Sequence, residues 1–232
     1  MSKLNRLKRS VRGLVRPLAD DTTGVAMVEF AFVAPLILTL GLGGMELANL
    51  AATHMRISQT AMQVADNASR IGDRNALAAE RIFETDIYDL LIGAKILAGS
   101  RAELFEKGRV IISSLEQNDD GGQWIHWQRC MGKLNKTSAY GPSGAGESGD
   151  SFDGMGIAGE ELTAPENGAV MYVEIFYTYK PIVSSQFASQ FVNDELEIRS
   201  EAAFTVRGSR DLSGVNESNG VAPATCDKLE AI

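Results

Sequence analysis

Glu29 stands five residues after Gly24 in a stretch that is otherwise uncharged as far as Met45, and this spacing is the most chemically specific feature of the 232-residue chain. A carboxylate several residues into an apolar helix costs about 2–3 kcal/mol or more unless it lies at an interface or is paired. The first solution places Glu29 among lipid headgroups. The second begins with the glycine. Cleavage after Gly24 would give Val25 a free ammonium, and in a helical filament Glu29 of one subunit would neutralise the ammonium of the next, the two charges being buried together. Two further residues invite chemistry as a pair. Cys130 and Cys226 are the two cysteines of the chain. In an oxidising compartment they would bond, and a loop of their separation is worth roughly 4–5 kcal/mol in the chain-entropy account. In a reducing one they would be two thiols.

The other reactive-looking groups read more simply. Gly144-Ala145-Gly146-Glu147-Ser148-Gly149 matches G-x-G-x-x-G, but no strand precedes it, no helix follows it, and Glu147 would repel a pyrophosphate. His126 and Cys130 are four apart with no second ligand pair, so no metal is expected. His54 falls on a helical seam, where a packed or partly exposed histidine is the ordinary outcome. Asp119, Asp120, Glu147, Asp150, Glu160 and Glu161 offer carboxylates in a glycine-rich, solvated loop rather than a pocket. Asp150 and Asp153 lack the twelve-residue calcium-loop pattern. The strand tyrosines and Trp124 and Trp127 read as packing. No catalytic residue and no cofactor is expected. The net charge of −8 and isoelectric point near 4.9 argue against nucleic acid as a partner.

These groups need elements to position them. Residues 1–24 form a basic leader carrying Lys3, Arg6, Lys8, Arg9, Arg12 and Arg16, ahead of an acidic body. Residues 25–46 are long enough to cross a bilayer as one helix, roughly 32 Å at about 1.5 Å per residue. The basic side predicts a cytoplasmic N-terminus. A removed signal peptide is the competing reading, but the apolar run is long and continues into helix-like sequence. Leu47, Leu50, His54, Ile57, Ala61, Val64, Ala68 and Ile71 recur at alternating spacings of three and four, so the helix should continue outside the lipid to Gly72. Gly41, Gly44 and Ala48 give it a small-residue face suited to helix–helix contact. Asp73 or Asn75 can cap a second helix with the stripe Phe83, Ile87, Leu90, Ala94 and Leu97, within an exported helical region 47–100. An exported β-rich region, 101–232, follows. Strands are expected at 109–115, 123–129, 169–180 and 195–207, the last with Leu196, Ile198, Ser200, Ala202, Phe204 and Val206 on one face. Residues 118–167 read as a long surface loop. The fold class is α+β, a long N-terminal helix packed on a small, mostly antiparallel four-stranded sheet.

The leader ending in Gly24, then Val25-Ala26-Met27-Val28-Glu29-Phe30-Ala31-Phe32-Val33-Ala34-Pro35, then Gly44-Met45-Glu46-Leu47-Ala48, resembles the TadE-like family of pseudopilins of the Tad/Flp tight-adherence pilus. The likeness spans Gly24 to about Gly72 and is looser beyond. It implies a pilin-like shape and cutting by a prepilin peptidase after Gly24, with Val25, Glu29 and Phe30 in the recognised segment. It also implies partnership with other pseudopilins or pilus-assembly proteins, and residence in a bacterial inner membrane with the C-terminal body outside the cytoplasm. Two other classes remain open on the residues alone. One is an uncleaved single-pass scaffold of the envelope. The other is an anchored enzyme working through the glycine-rich loop.

Overall fold

The computed structural model describes residues 23–72, 79–183 and 196–230. The chain divides into two compact units, Met1–Leu47 and Ala48–Ile232. Helix α1 (Thr23–Ala68) supplies what is described of the first unit and continues into the second. In the first unit its apolar side chains face outward, with Phe30 69% and Phe32 79% exposed. Pro35 lies inside the helix, where its ring removes a backbone donor.

The second unit is built on four strands in the order β3-β2-β6-β7, every neighbouring pair antiparallel. They are β2 (Gly108–Gln117), β3 (Gln123–Met131), β6 (Ala169–Thr178) and β7 (Glu197–Thr205). All four fall where the pattern of β-branched and aromatic residues places them. Around them stand β1 (Glu80–Phe83), helix α2 (Glu84–Ala98), the short helix α3 (Leu104–Lys107), the hairpin β4 (Met155–Ile157) and β5 (Glu160–Leu162), and β8 (Arg210–Asn216).

One face of the sheet buries the main core. Ile57, Ala61, Val64, Ala65 and Ala68 of α1 and Ile87, Leu90, Leu91, Ala94 and Ala98 of α2 pack with Val110, Ile112, Val173, Ile175 and Ile198. β7 behaves as its alternation requires, because Ile198 and Ser200 are buried and Leu196, Ala202, Phe204 and Val206 pack partly against the same core.

Three sequence expectations are corrected. The helical seam is not buried over its full length: Leu47 is 52% exposed, His54 is exposed, Leu50 is half-buried against the core, and the fully buried seam residues start at Ile57. The second helix begins at Glu84 rather than near Asp73 or Asn75, which lie outside the described residues. Its buried stripe includes Leu91 and Ala98, while Leu97 is exposed. The cause is strand β1, which pairs in parallel with β8 and occupies the turn before the helix. The third correction concerns 118–167, which is a covering layer rather than a free loop. Tyr140, Ala145, Phe152, Met155 and Ala164 pack with Leu115, Ile125, Val170 and Tyr172 on the sheet's second face. Asn118 organises the layer. Its Oδ1 accepts from the amides of Asp120 and Gly122, and its Nδ2 donates to Gly146 O and Gly149 O. Gln123 and Ala164 exchange two bonds across it, at 3.2 and 2.6 Å.

Candidate processing and assembly site

The residues expected to direct processing lie together at the start of α1. Gly24 is its second residue, and Val25, Glu29 and Phe30 are all exposed. Among the described residues, no atom stands within 4 Å of where a Cβ would sit at Gly24, Gly41 or Gly44, and none of the three has a left-handed backbone. Neither packing among the described residues nor backbone conformation therefore demands glycine there. Gly41, Gly44 and Ala48 are exposed. Gly43 and Glu46 in the same segment are buried, so the exposed face is the one that carries Gly41, Gly44 and Ala48. The leader before Thr23 lies outside the described residues.

The body contains the cysteine pair and a clamp that sequence reasoning missed. Cys130 on β3 and Cys226 in the tail are joined by a disulfide. Beside it, Arg109 of β2 is 1% exposed. Its guanidinium donates to Gly132 O at 2.9 Å, Lys228 O at 3.0 Å and Cys226 O at 2.6 Å. Burial holds this arginine's pKa below its ordinary value. The tail also pairs its backbone with the edge strand, Cys130 N donating to Ala224 O and Gly132 N to Glu230 O. Gly132 has φ +128°, and a Cβ there would stand 2.2 Å from Gly108 O, so only glycine admits this crossing.

Two more buried ionic devices hold the helices. Arg210 of β8 donates to Ala68 O and Ile71 O, at 3.0 and 2.8 Å, and so closes the last turn of α1. Cations at a helix C-terminus satisfy orphan carbonyls and oppose the dipole. Desolvation lowers the Arg210 pKa to about 10. Glu84, in the first turn of α2, is 3% exposed and forms a multiply bonded pair with Arg129 of β3.

His126 is not beside a nucleophile. The β2–β3 register slips between Ser114 and Leu115, leaving His126 as the extra residue of a bulge. The bulge stacks its ring on Trp124, centroids 4.4 Å apart, and brings Nδ1 to 2.9 Å from Glu116 Oε2. Ser114 Oγ donates to the other oxygen of Glu116, at 2.6 Å. The carboxylate stands between hydroxyl and imidazole, so the histidine does not take the serine proton directly. The i, i+2 alternation of Ser114 and Glu116 signals a shared strand face, whereas nothing local announces the bulge. Cys130 is committed to its disulfide and is no thiolate ligand. Gly144–Gly149 runs through turns whose amides are used internally, Gly144 N to Ile125 O and Gly149 N to Asp120 Oδ2.

The described residues thus hold one apolar helix long enough to cross a bilayer and an α+β body on a four-stranded antiparallel sheet. The family model described as TadE-like protein matches residues 24–66, beginning at Gly24 and ending within α1. Over that segment the chain is similar to the TadE-like family. No curated protein and no solved structure matches the chain.

Proposed function

We propose that this protein is a TadE-like pseudopilin of a Tad/Flp pilus, cut after Gly24 by a prepilin peptidase and then active in pilus assembly. The observation that carries the reading is the coincidence of the family match with an exposed apolar helix whose Gly24 no packing contact among the described residues requires. Before cutting, the helix holds the protein in the inner membrane, with the basic leader on the cytoplasmic side. The disulfide fits a body on the oxidising side. Removal of the leader removes six cations that resist extraction. Glu29 then sets the register of the helix by meeting the Val25 ammonium of a neighbour, and Gly41, Gly44 and Ala48 let helices approach. The role is positional, without catalysis.

The test is co-expression with a prepilin peptidase, read by a shortened product on gels. Native chain should shorten, and Gly24→Asp should not. A shortened Gly24→Asp product would defeat the cut-site assignment.

A further inference from the structure

Strand β7 ends the four-stranded sheet and has β6 on one side of it. The register runs unbroken from Thr205 opposite Val170 to Glu197 opposite Thr178. Just past its two ends, Val206 N donates to Ala169 O and Tyr179 N to Leu196 O. Bonded residues alternate along an antiparallel pair, so the even-numbered residues spend their backbone groups on β6. Glu197, Arg199, Glu201, Ala203 and Thr205 therefore turn N–H and C=O away from the sheet. Arg207 continues the series, and its amide does find an outer partner, Ser69 O of the chain just after α1. Among the described residues, no backbone bond reaches the outer side of the earlier members. Proteins blunt such edges with proline, a bulge or a very short strand. β7 has nine residues and neither proline nor glycine.

The two faces of the strand state what fits beside it. On one face Glu197, Arg199 and Glu201 are exposed and alternate in sign. Neighbours hold them in place, Lys136 against Glu197, and Glu174 and Glu201 against Arg199. On the other face α1 lies over the strand, Ser200 Oγ donating to Ser58 Oγ at 3.0 Å. Met55 and Met62, three before and four after Ser58, share its side of the helix and are 60% and 55% exposed. An apolar flank thus overhangs the open edge. We infer that the outer edge of β7 takes one more antiparallel strand, supplied by a different protein chain and amphipathic with period two. That strand carries base, acid and base opposite Glu197, Arg199 and Glu201, with apolar residues between them facing Met55 and Met62. Main-chain bonds give affinity and the alternate side chains fix the register. A second copy fits poorly. The register that sets Arg199 opposite its Glu201 also sets Ser200 opposite Ser200 at about 4.5 Å. Each serine carries its own α1, and packed helices stand about 8–10 Å apart. The inference does not depend on cutting at Gly24.

The experiment titrates the full chain in detergent into a fluorescein-labelled synthetic peptide, read by anisotropy. The peptide has lysine, glutamate and lysine at alternate central positions, valines between them and threonines at the ends. Saturable binding is expected. N-methylation of the three charged residues, whose amides face β7 in the added strand, should abolish it, and N-methylation of the valines should not. Glu197→Lys should weaken binding about fivefold, the upper end for a cross-strand charge pair. A peptide with glutamate in place of one lysine should restore it. Circular dichroism melts check that the variant is folded. No saturable binding would overturn the inference. So would binding that survives N-methylation of the charged residues, because the peptide would then be held without strand pairing. A chain that dimerises on its own and is dissociated by the peptide would overturn the assignment to a different chain.

Discussion

Removing the cross-link and the Arg109 guanidinium should be strongly non-additive. Arg109 spends two of its three hydrogen bonds among the described residues on the tail, at Cys226 O and Lys228 O. Loss of the disulfide, made as the Cys130→Ala, Cys226→Ala chain, removes a constraint between residues 96 apart, worth roughly 4–5 kcal/mol in the entropy account and about 2–5 in practice. Once the tail detaches, Arg109 is left with Gly132 O and an uncompensated buried charge. Arg109→Met alone forfeits charge-assisted bonds of about 1.5–3 kcal/mol each but leaves the tail covalently tethered. The two losses overlap, because each by itself loosens the same segment. The assay is a guanidinium titration of the full chain in detergent, run on the native protein, both variants and their combination. The combination should fall short of the sum by about 1–3 kcal/mol, the range for groups sharing one network. Agreement with the sum to within about 0.5 kcal/mol would refute the idea that disulfide and arginine hold one unit.

Other perturbations follow from the same geometry. Glu84→Gln should lower stability by about 3–5 kcal/mol by unpairing Arg129 between α2 and β3, measurable as a reduced denaturation midpoint. Glu174 is fully buried, with Oε1 held by Ala139 N and the Arg199 guanidinium and Oε2 without a hydrogen-bond partner among the described residues. Burial raises its pKa above the ordinary 4.5. The folded state therefore keeps this proton longer than the unfolded chain, so the stability it contributes is full below that ordinary value and is lost as pH rises through the folded one. Glu174→Gln should flatten this decline in thermal melts across mildly acidic pH, and an unchanged slope would count against it. Glu29→Leu should leave membrane insertion intact and reduce piliation; normal piliation would exclude the registry role.

The parts of the fold that read clearly are those with local periodicity. Ala169–Thr178 announces itself by Val170, Val173, Ile175 and two tyrosines, with Tyr179 following ahead of Pro181, and β7 by strict alternation. The parts that did not are made by distant partners. β1 is four residues long and is a strand because β8 lies beside it, with Ile82 opposite Val215. The tail beyond Arg207 had no visible attachment except Cys226, yet β8, Arg210 and the Arg109 clamp hold it. Residues 118–167 look solvated because glycine, serine and aspartate dominate them. Their anchors are single apolar residues, among them Phe152 and Met155, at no regular spacing. The cysteine pair was legible from type alone, and Gly24 and Glu29 stand out by spacing as the candidates for the proposed processing step.

The mass of the protein extracted from native membranes tests the central reading most directly, mapped at its N-terminus by tandem mass spectrometry. A first residue of Val25, with or without modification of its new amine, is the predicted result. Native protein that retains the residues before Gly24 would contradict it.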